Sequence, residues 1–448
     1  MPSTSNQNTF EHVSWSQDVW LLLAARFVRM LAFGSSSLIL ALFLTGLGQK
    51  PIQVGRFLTL TLIGDFLLSL VLTFIADSVL GRRNTLRLGA LSMLISGLVF
   101  ATTQNRHLLL IAAIFGVISP SGNEIGPFRA VEESILAELV HKQHRPSLFG
   151  WYVVTGSLAA SLATWLGGFM NNWIGISAKA DARADLMRYY RLVFVVYSVL
   201  GFIKLMLSLA LSKRCERPAR TVPCQANPTQ GHSDSVANEC DPLLPSPDST
   251  NTPAAEIQAA EETFGRSRFV GLCVLFAIDS LGSGMVSQTL QSWFLSRKFH
   301  VELPSLGAIL SAALLVSSFS NLFSARLAKH LGLVPTMVLT HMPSSIILAL
   351  TPLPTSLTAT SALIIARAAT SSMDQAPRSA FLSAFVPSHH RTRVLGLVNT
   401  VKTLAQSGGP TLTGWLTDKR SMGWAFHVAG ALKTAYDLGL LAAFSAVK

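Results

Sequence analysis

The chain has 448 residues, of which 50% are hydrophobic and 13% charged, with a formal net charge of +12. A soluble domain carries about 25% charged residues. This composition, with a mean hydropathy of +0.45, excludes an ordinary soluble protein and points to one that crosses a membrane many times. The basic excess lies mostly in short loops between apolar runs, where it sets topology, so no nucleic-acid partner is expected.

Residues 1–18 are polar and lack the basic start and short apolar core of a cleavable signal. They read as a cytosolic tail, with the first span acting as the targeting signal. A spanning helix needs about 20 mostly apolar residues. Six such runs follow, at 19–46, 54–77, 84–104, 107–130, 148–170 and 190–211. Each is a continuous Leu/Ala/Val/Ser block rather than an alternating segment, which predicts helices and not a barrel. Residues 212–267 are rich in Pro, Ser, Thr and Asn. Such a segment cannot bury a core and is expected to be a disordered cytosolic linker. Six more runs occupy 268–296, 306–326, 334–351, 358–386, 393–417 and 422–445. The expected fold is an all-α membrane protein of twelve transmembrane helices, in two pseudo-symmetric six-helix bundles at 19–211 and 268–448.

Matching features support two repeats. Arg145 is followed five residues on by Gly150, and Arg391 five residues on by Gly396. Upstream of each, Pro stands beside Arg: Pro127 and Arg129, then Pro377 and Arg378. Basic residues cluster at even-to-odd connections: Arg82, Arg83 and Arg87; Lys142 and Arg145; Lys213, Arg214, Arg217 and Arg220; Arg326 and Lys329; Arg391 and Arg393. The positive-inside rule then puts those loops, the linker and both termini in the cytosol. The loop between spans five and six, with Lys179, Arg183, Arg188 and Arg191, runs against that pattern.

Between spans two and three, "IADSVLGRRNTLR" sets Asp77, Gly81, Arg82 and Arg83 at the cytosolic mouth of an apolar run. Glycine permits a tight turn. Span eleven should begin at the same face near Arg393, and a helix N-terminus carries about half a positive charge. Asp77 can accept hydrogen bonds there and latch the two halves on the cytosolic side. The corresponding second-half stretch, "ARLAKHLGL", has Lys329 in place of an acid, so a mirror latch is not expected.

On these residues the chain resembles the major facilitator superfamily, whose signature between helices 2 and 3 is usually G-x-x-x-D-R-x-G-R-R. Asp77, Gly81, Arg82 and Arg83 match its core. Thr73 replaces the leading glycine, and one extra residue separates acid from glycine. Peptide and nitrate carriers share that longer spacing, but "LLLAARFVRM" lacks their E-x-x-E-R motif. The stretches "RFVRMLAFGSSSLIL" and "LGLVPTMVLTHMPSS" are similar to a poorly characterised branch found in bacteria, fungi and plants. The resemblance spans nearly the whole chain. It implies a secondary active transporter that moves a small organic solute by alternating access, with protons as the coupling ion.

An ionisable residue at a helix centre costs about 2.5–3.5 kcal/mol on insertion scales. Within the runs lie Arg26, Arg29, Asp65, Glu124, Arg129, Asp279, His341, Arg367, Asp374, Arg378, Lys402 and Asp437. They form either a polar cavity, where acids take up protons and arginines hold an anionic group, or buried pairs that fix packing. Asp65, Glu124, Asp279 and Asp374 are the proton-coupling candidates. Arg29, Gln288, Ser292 and Arg378 are the cavity candidates. Asp374 and Arg378, four residues apart, share a helix face and also fit a purely structural pair. Glu132 and Glu133 sit toward the cytosol as gate and packing groups. Gly282 and Gly284 favour close packing or an unwound stretch in span seven.

Walker, HExxH and GxSxG motifs are absent from the sequence, so neither enzyme activity nor nucleotide drive is expected. The four cysteines include no CxxC pair, and neither metal nor cofactor is expected. The partners expected are the lipid bilayer, the solute and protons, with the chain working as a monomer and export ahead of uptake. The rival readings are an uptake carrier, or a non-transporting sensor or scaffold on a carrier fold; the short, featureless linker disfavours the latter. That linker holds Glu239, Leu243 and Leu244 in "ECDPLLP", which fits an acidic dileucine sorting signal. The destination is then a vacuolar membrane, with the plasma membrane as default. Cys215, just past a span, is a candidate for lipidation.

Overall fold

A computed structural model describes residues 15–75, 80–116, 118, 127–141, 144–173, 182–216, 266–375, 377–378, 381 and 391–444. These are helical almost throughout, and none of them forms a strand. The first half holds α1 (Gln17–Gly46), α2 (Pro51–Ile75), α3 (Arg82–Thr102), α4 (Arg106–Phe115), α5 (Pro127–Leu139), α6 (Arg145–Trp173) and α7 (Ala182–Leu209), then a single 3-10 turn at Lys213–Cys215. The second half holds α8 (Arg266–Met285), α9 (Gln288–Phe299), α10 (Leu303–Leu331), α11 (Leu333–Leu350), α12 (Leu357–Ser371), α13 (Arg391–Lys419) and α14 (Gly423–Phe444).

Six of these helices are each long and apolar enough to cross a bilayer, and α8 with α9 makes a seventh span bent by 44°. α4 and α5 together occupy the fourth predicted run. The helices thus follow the predicted order of twelve spans in two six-helix bundles. Several spans run further than expected, the fourth and sixth most at a single end. The fourth extends to Leu139, which brings Glu132 and Glu133 into α5, and the sixth begins at Ala182.

The helix ends are set by backbone chemistry. Gly81 precedes α3 with φ 76° and Gly332 precedes α11 with φ 87°. Four residues on, a threonine hydroxyl donates back to each glycine carbonyl: Thr85 at 2.9 Å and Thr336 at 2.6 Å. A side chain is strained at such φ values, so the two repeats share one cap. Inside the spans, hydroxyls satisfy themselves on carbonyls one turn back, as at Ser35, Thr45 and Thr61. In lipid no water is present to do so.

The cores show how the bundles meet. At the helix ends nearer the termini, each bundle has its own core. One gathers Leu22, Phe128, Leu136 and Tyr152, the other Phe276, Val338, Phe381 and Tyr436. At the opposite ends a single core runs through both bundles, from Phe43, Phe100 and Phe194 to Trp293, Phe294 and Phe426. The halves are therefore joined on the side remote from the termini.

Candidate functional site

The joint is built largely from backbone. α2 crosses α13 at Gly55 and Gly414, where a Cβ on Gly55 would lie 2.3 Å from the Pro410 carbonyl oxygen and one on Gly414 2.5 Å from that of Pro51. α6 crosses α10 at Gly168 and Gly307, where added Cβ atoms would lie 2.6 Å and 2.7 Å from carbonyl oxygens of Leu303 and Thr164. Polar contacts flank both crossings. The Thr411 hydroxyl donates to Thr59 Oγ1 at 2.8 Å, and Ser161 Oγ lies 2.8 Å from Ser311 Oγ. Gln288 donates to Thr164 Oγ1 at 3.2 Å, and the Ser292 hydroxyl donates to the Leu38 carbonyl. Gln288 and Ser292, expected in a cavity, lie instead in this seam. They are in α9, beyond the bend, where span seven meets the opposite bundle.

Below the seam, the second half surrounds a cavity of about 280 Å³ lined by Asp279, Ser280, Ser283, Arg378, Asn399, Lys402, Thr403 and Gln406. Asp279, in α8, is its centre of charge. Arg378 donates to it at 2.9 Å and Lys433, from α14, at 2.7 Å; Lys433 also donates to Ser283 at 2.7 Å. Arg378 donates to Asp374 as well, and its guanidinium lies over the Tyr436 ring at 5.3 Å. Behind Asp279 stands His341 of α11, with Nε2 3.5 Å from Asp279 Oδ1 and Nδ1 2.8 Å from Asp437 Oδ1. Lys402 lies 5.8 Å from the Phe276 ring.

The first half has a counterpart with its charges exchanged. Glu132 of α5 accepts from Arg29 of α1 at 2.5 Å and from the Tyr152 hydroxyl at 2.6 Å, and lies 3.5 Å from Lys204 of α7. Arg26 covers the Tyr152 ring at 4.5 Å. The first, fourth and sixth spans of this bundle thus supply Arg, Glu and Lys, where those of the other supply Asp, Arg and Lys. Arg29 joins this cluster rather than the cavity. Asp65 is buried in α2, acted on by the charge of Arg29, and its Oδ1 has no hydrogen-bond partner among the described residues.

Of the signature between spans two and three, Gly81 has φ 76°, and Arg82 is buried and paired with Glu138 of α5 at 2.6 Å. Glu216, past α7, reaches the start of α3, its Oε2 accepting from the Arg83 amide at 3.4 Å. Cys215 is buried. Burial, with Asp18 beside it, pushes its thiol up to about 12. Asp77, Glu124, Glu239, Leu243 and Leu244 lie outside the described residues.

The structure thus unites Asp279 with Asp374 and Arg378, from two distant stretches. Sequence reading missed Lys204, Lys433, Glu138 and Tyr152, and gave no role to His341 or Asp437. A lone lysine in an apolar run, as in "GFIKLMLSLA", was the available signal for Lys204.

The family model described as Major Facilitator Superfamily matches residues 22–243 and 272–445. The chain is 32% identical over 433 residues to the uncharacterized membrane protein YJR124C of Saccharomyces cerevisiae, covering 96% of this chain and 95% of that one. Its fold is similar to that of a variant of the nucleoside transporter NupG, with TM-score 0.71, 12% identity, and coverage of 95% of this chain and 100% of the other. It is also similar to a bacterial homologue of the human lysosomal transporter Spinster in an inward-facing, unoccupied conformation, with TM-score 0.66, 14% identity, and coverage of 96% and 95%.

Proposed function

Since this chain belongs to the Major Facilitator Superfamily, we propose that it is a secondary transporter carrying a small organic solute with an anionic group, coupled to protons, by alternating access. The observation that carries this reading is the cavity. Its lining places Arg378 and Lys402 beside Asp279 among hydroxyl and amide side chains, the donors an anionic group would meet. Its volume, about 280 Å³, falls just below the usual range for small-molecule sites, so the solute is small. The two bundles are joined on one side and hold separate cores on the other, which suits rocking of one bundle against the other.

Purified chain in liposomes under an imposed pH gradient tests this, with radiolabelled carboxylates, phosphates and amines as probes. Accumulation of an anion that collapses with a proton ionophore, and falls roughly tenfold in Lys402→Gln (about 1.4 kcal/mol), supports it. Accumulation of amines alone removes the anionic group from the reading, and no accumulation above empty liposomes overturns transport. Liposomes of both orientations read the direction, with export the expectation carried from the sequence.

Two finer proposals concern the cytosolic face and the address. Asp77 latches the halves through span eleven; Asp77→Asn then slows transport at unchanged membrane abundance. Glu239, Leu243 and Leu244 direct the chain to a vacuolar membrane; Leu243→Ala with Leu244→Ala then moves tagged protein to the plasma membrane.

A further inference from the structure

We propose that His341 and Asp437 form the proton-binding site of the transport cycle, joined to the solute cavity through Asp279. This rests on the transporter reading above and names the group that couples it.

The geometry is that of a relay. Both carboxylate oxygens of Asp437 lie within reach of His341 Nδ1, at 2.8 Å and 3.0 Å, and Ser345 donates to Asp437 at 3.2 Å. The other ring nitrogen faces Asp279 Oδ1 at 3.5 Å. An imidazole with a carboxylate at each nitrogen can hold a proton on both. Histidine is the side chain whose charge ordinarily changes between pH 5 and 8. His341 and Asp437 are buried, and Asp279 alone of the three lines the cavity. A charge change on His341 is therefore felt in the cavity through one shared carboxylate.

The groups around His341 define what its proton does. α14 contributes Asp437, Tyr436 edge-on at 5.7 Å between ring centroids, and Lys433 on Asp279. α8 contributes Asp279, with Arg378 on its other oxygen. α12 contributes Arg367, which acts electrostatically on Asp279. His330, on α10, is exposed near the end of that helix. When His341 is neutral, Asp279 is shared by Lys433 and Arg378. When His341 is protonated, Asp279 gains a third cation, and Arg378 and Lys433 are held less tightly. Positive charge is then freer to meet an anionic group in the cavity. By linkage a solute anion and a proton on His341 favour one another.

The test needs no known solute. Lys50 and Lys419 are exposed at the joined ends of α2 and α13, one in each bundle. Spin labels at cysteines placed there, with the four native cysteines changed to serine, report the distance across the seam. The full chain in liposomes is compared between about pH 5 and pH 8. The expected result is a distance that changes with pH in the parent chain and in Asp65→Asn. The change should be lost in His341→Gln and in Asp437→Asn, and kept in Asp437→Glu. Two independent variants guard against one failing to fold. A pH response that persists in folded His341→Gln, or that is lost in Asp65→Asn alone, overturns the proposal. Gly307→Val separates this from failure of the transporter reading, because its added methyls force the seam at any pH. If Gly307→Val moves the labels and pH does not, the proton site falls and alternating access stands. If neither moves them, both fall.

Discussion

The two charge clusters use the same kinds of residue at corresponding spans, yet one is closed and the other open. In the first half the acid sits on span four, and Arg29, Tyr152 and Lys204 converge on it in a buried knot. In the second half the acid sits on span seven, at a cavity wall, and an imidazole with its own carboxylate stands behind it. The difference teaches that burying charge in a span serves two purposes. A knot in which one acid draws its partners from three other helices fixes helix packing. An acid that leaves one side to a void, and shares its other side with a titratable ring, can respond to a ligand.

The largest expected effect breaks that comparison directly. Glu132→Gln leaves Arg29 and Lys204 buried without their acid, and removing one partner of a buried pair costs about 3–5 kcal/mol. The expected outcome is loss of folded protein, read as melting temperature and monodisperse yield in detergent. Asp279→Asn should keep more folded protein, because the cavity admits water to Arg378, while transport is lost. Equal instability in both variants would make the second cluster a packing knot like the first.

Next come the glycine crossings. Gly168→Val and Gly414→Val drive a side chain into a carbonyl across the seam. Overpacking of this kind costs about 1–3 kcal/mol, and it falls on the joined state alone. Thiol labelling at Val54→Cys should rise in both variants, since Val54, near the start of α2, is buried while this side is joined. Labelling that stays at the parent rate would show that the joint yields elsewhere.

The shared helix cap gives a finer contrast. Gly81→Ala and Gly332→Ala both place a side chain at positive φ, at about 1–2 kcal/mol. At Gly81 the new Cβ would also meet Glu216 Oε1 at 2.0 Å, whereas at Gly332 the nearest atom is Pro335 Cδ at 3.8 Å. Displacing Glu216 from the start of α3 adds roughly 0.3–1 kcal/mol. Gly81→Ala should therefore lower the melting temperature more than Gly332→Ala does.

The smallest effect concerns Cys215. With its thiol pushed up to about 12 by burial, the reactive thiolate is scarce at neutral pH and grows only as pH rises toward that value. Alkylation at pH 8 should be far slower than for a free cysteine of pKa about 8.5, and denaturant should restore it. Rapid labelling in the folded chain would reopen Cys215 to lipidation.

Span order and most span positions were legible because apolar runs of sufficient length report themselves locally. Asp279, Asp374 and Arg378 were legible for a related reason: a charge in such a run is conspicuous. Their grouping was not, since Arg378 meets Asp279 across 99 residues of chain. Lys204 and Lys433 escaped notice although they complete each cluster. Gln288 and Ser292 show the converse. Their polarity suggested a cavity, but a bend in the span carries them to the seam. The fourth span ran past its predicted end because α5, though carrying Arg129, Glu132, Glu133 and Glu138, pairs all four of those side chains within its own bundle or helix.

Span seven joins the two jobs of the molecule in one piece of chain. α8 carries Asp279 at the cavity, α9 carries Ser292 at the seam, and the 44° bend lies between them. The two side chains lie thirteen positions apart along the chain, on either side of the break at residues 286–287. On the α8 side of the bend, Gly284 rests against the carbonyl of Gln406, a cavity residue whose amide-bonding partner one turn on is replaced by Pro410. The span is in effect a cranked lever with its pivot against a softened part of α13. A displacement of α8 at Asp279 is thereby passed across the bend to Ser292 at the seam. Stiffening the pivot would uncouple the ends and leave each intact.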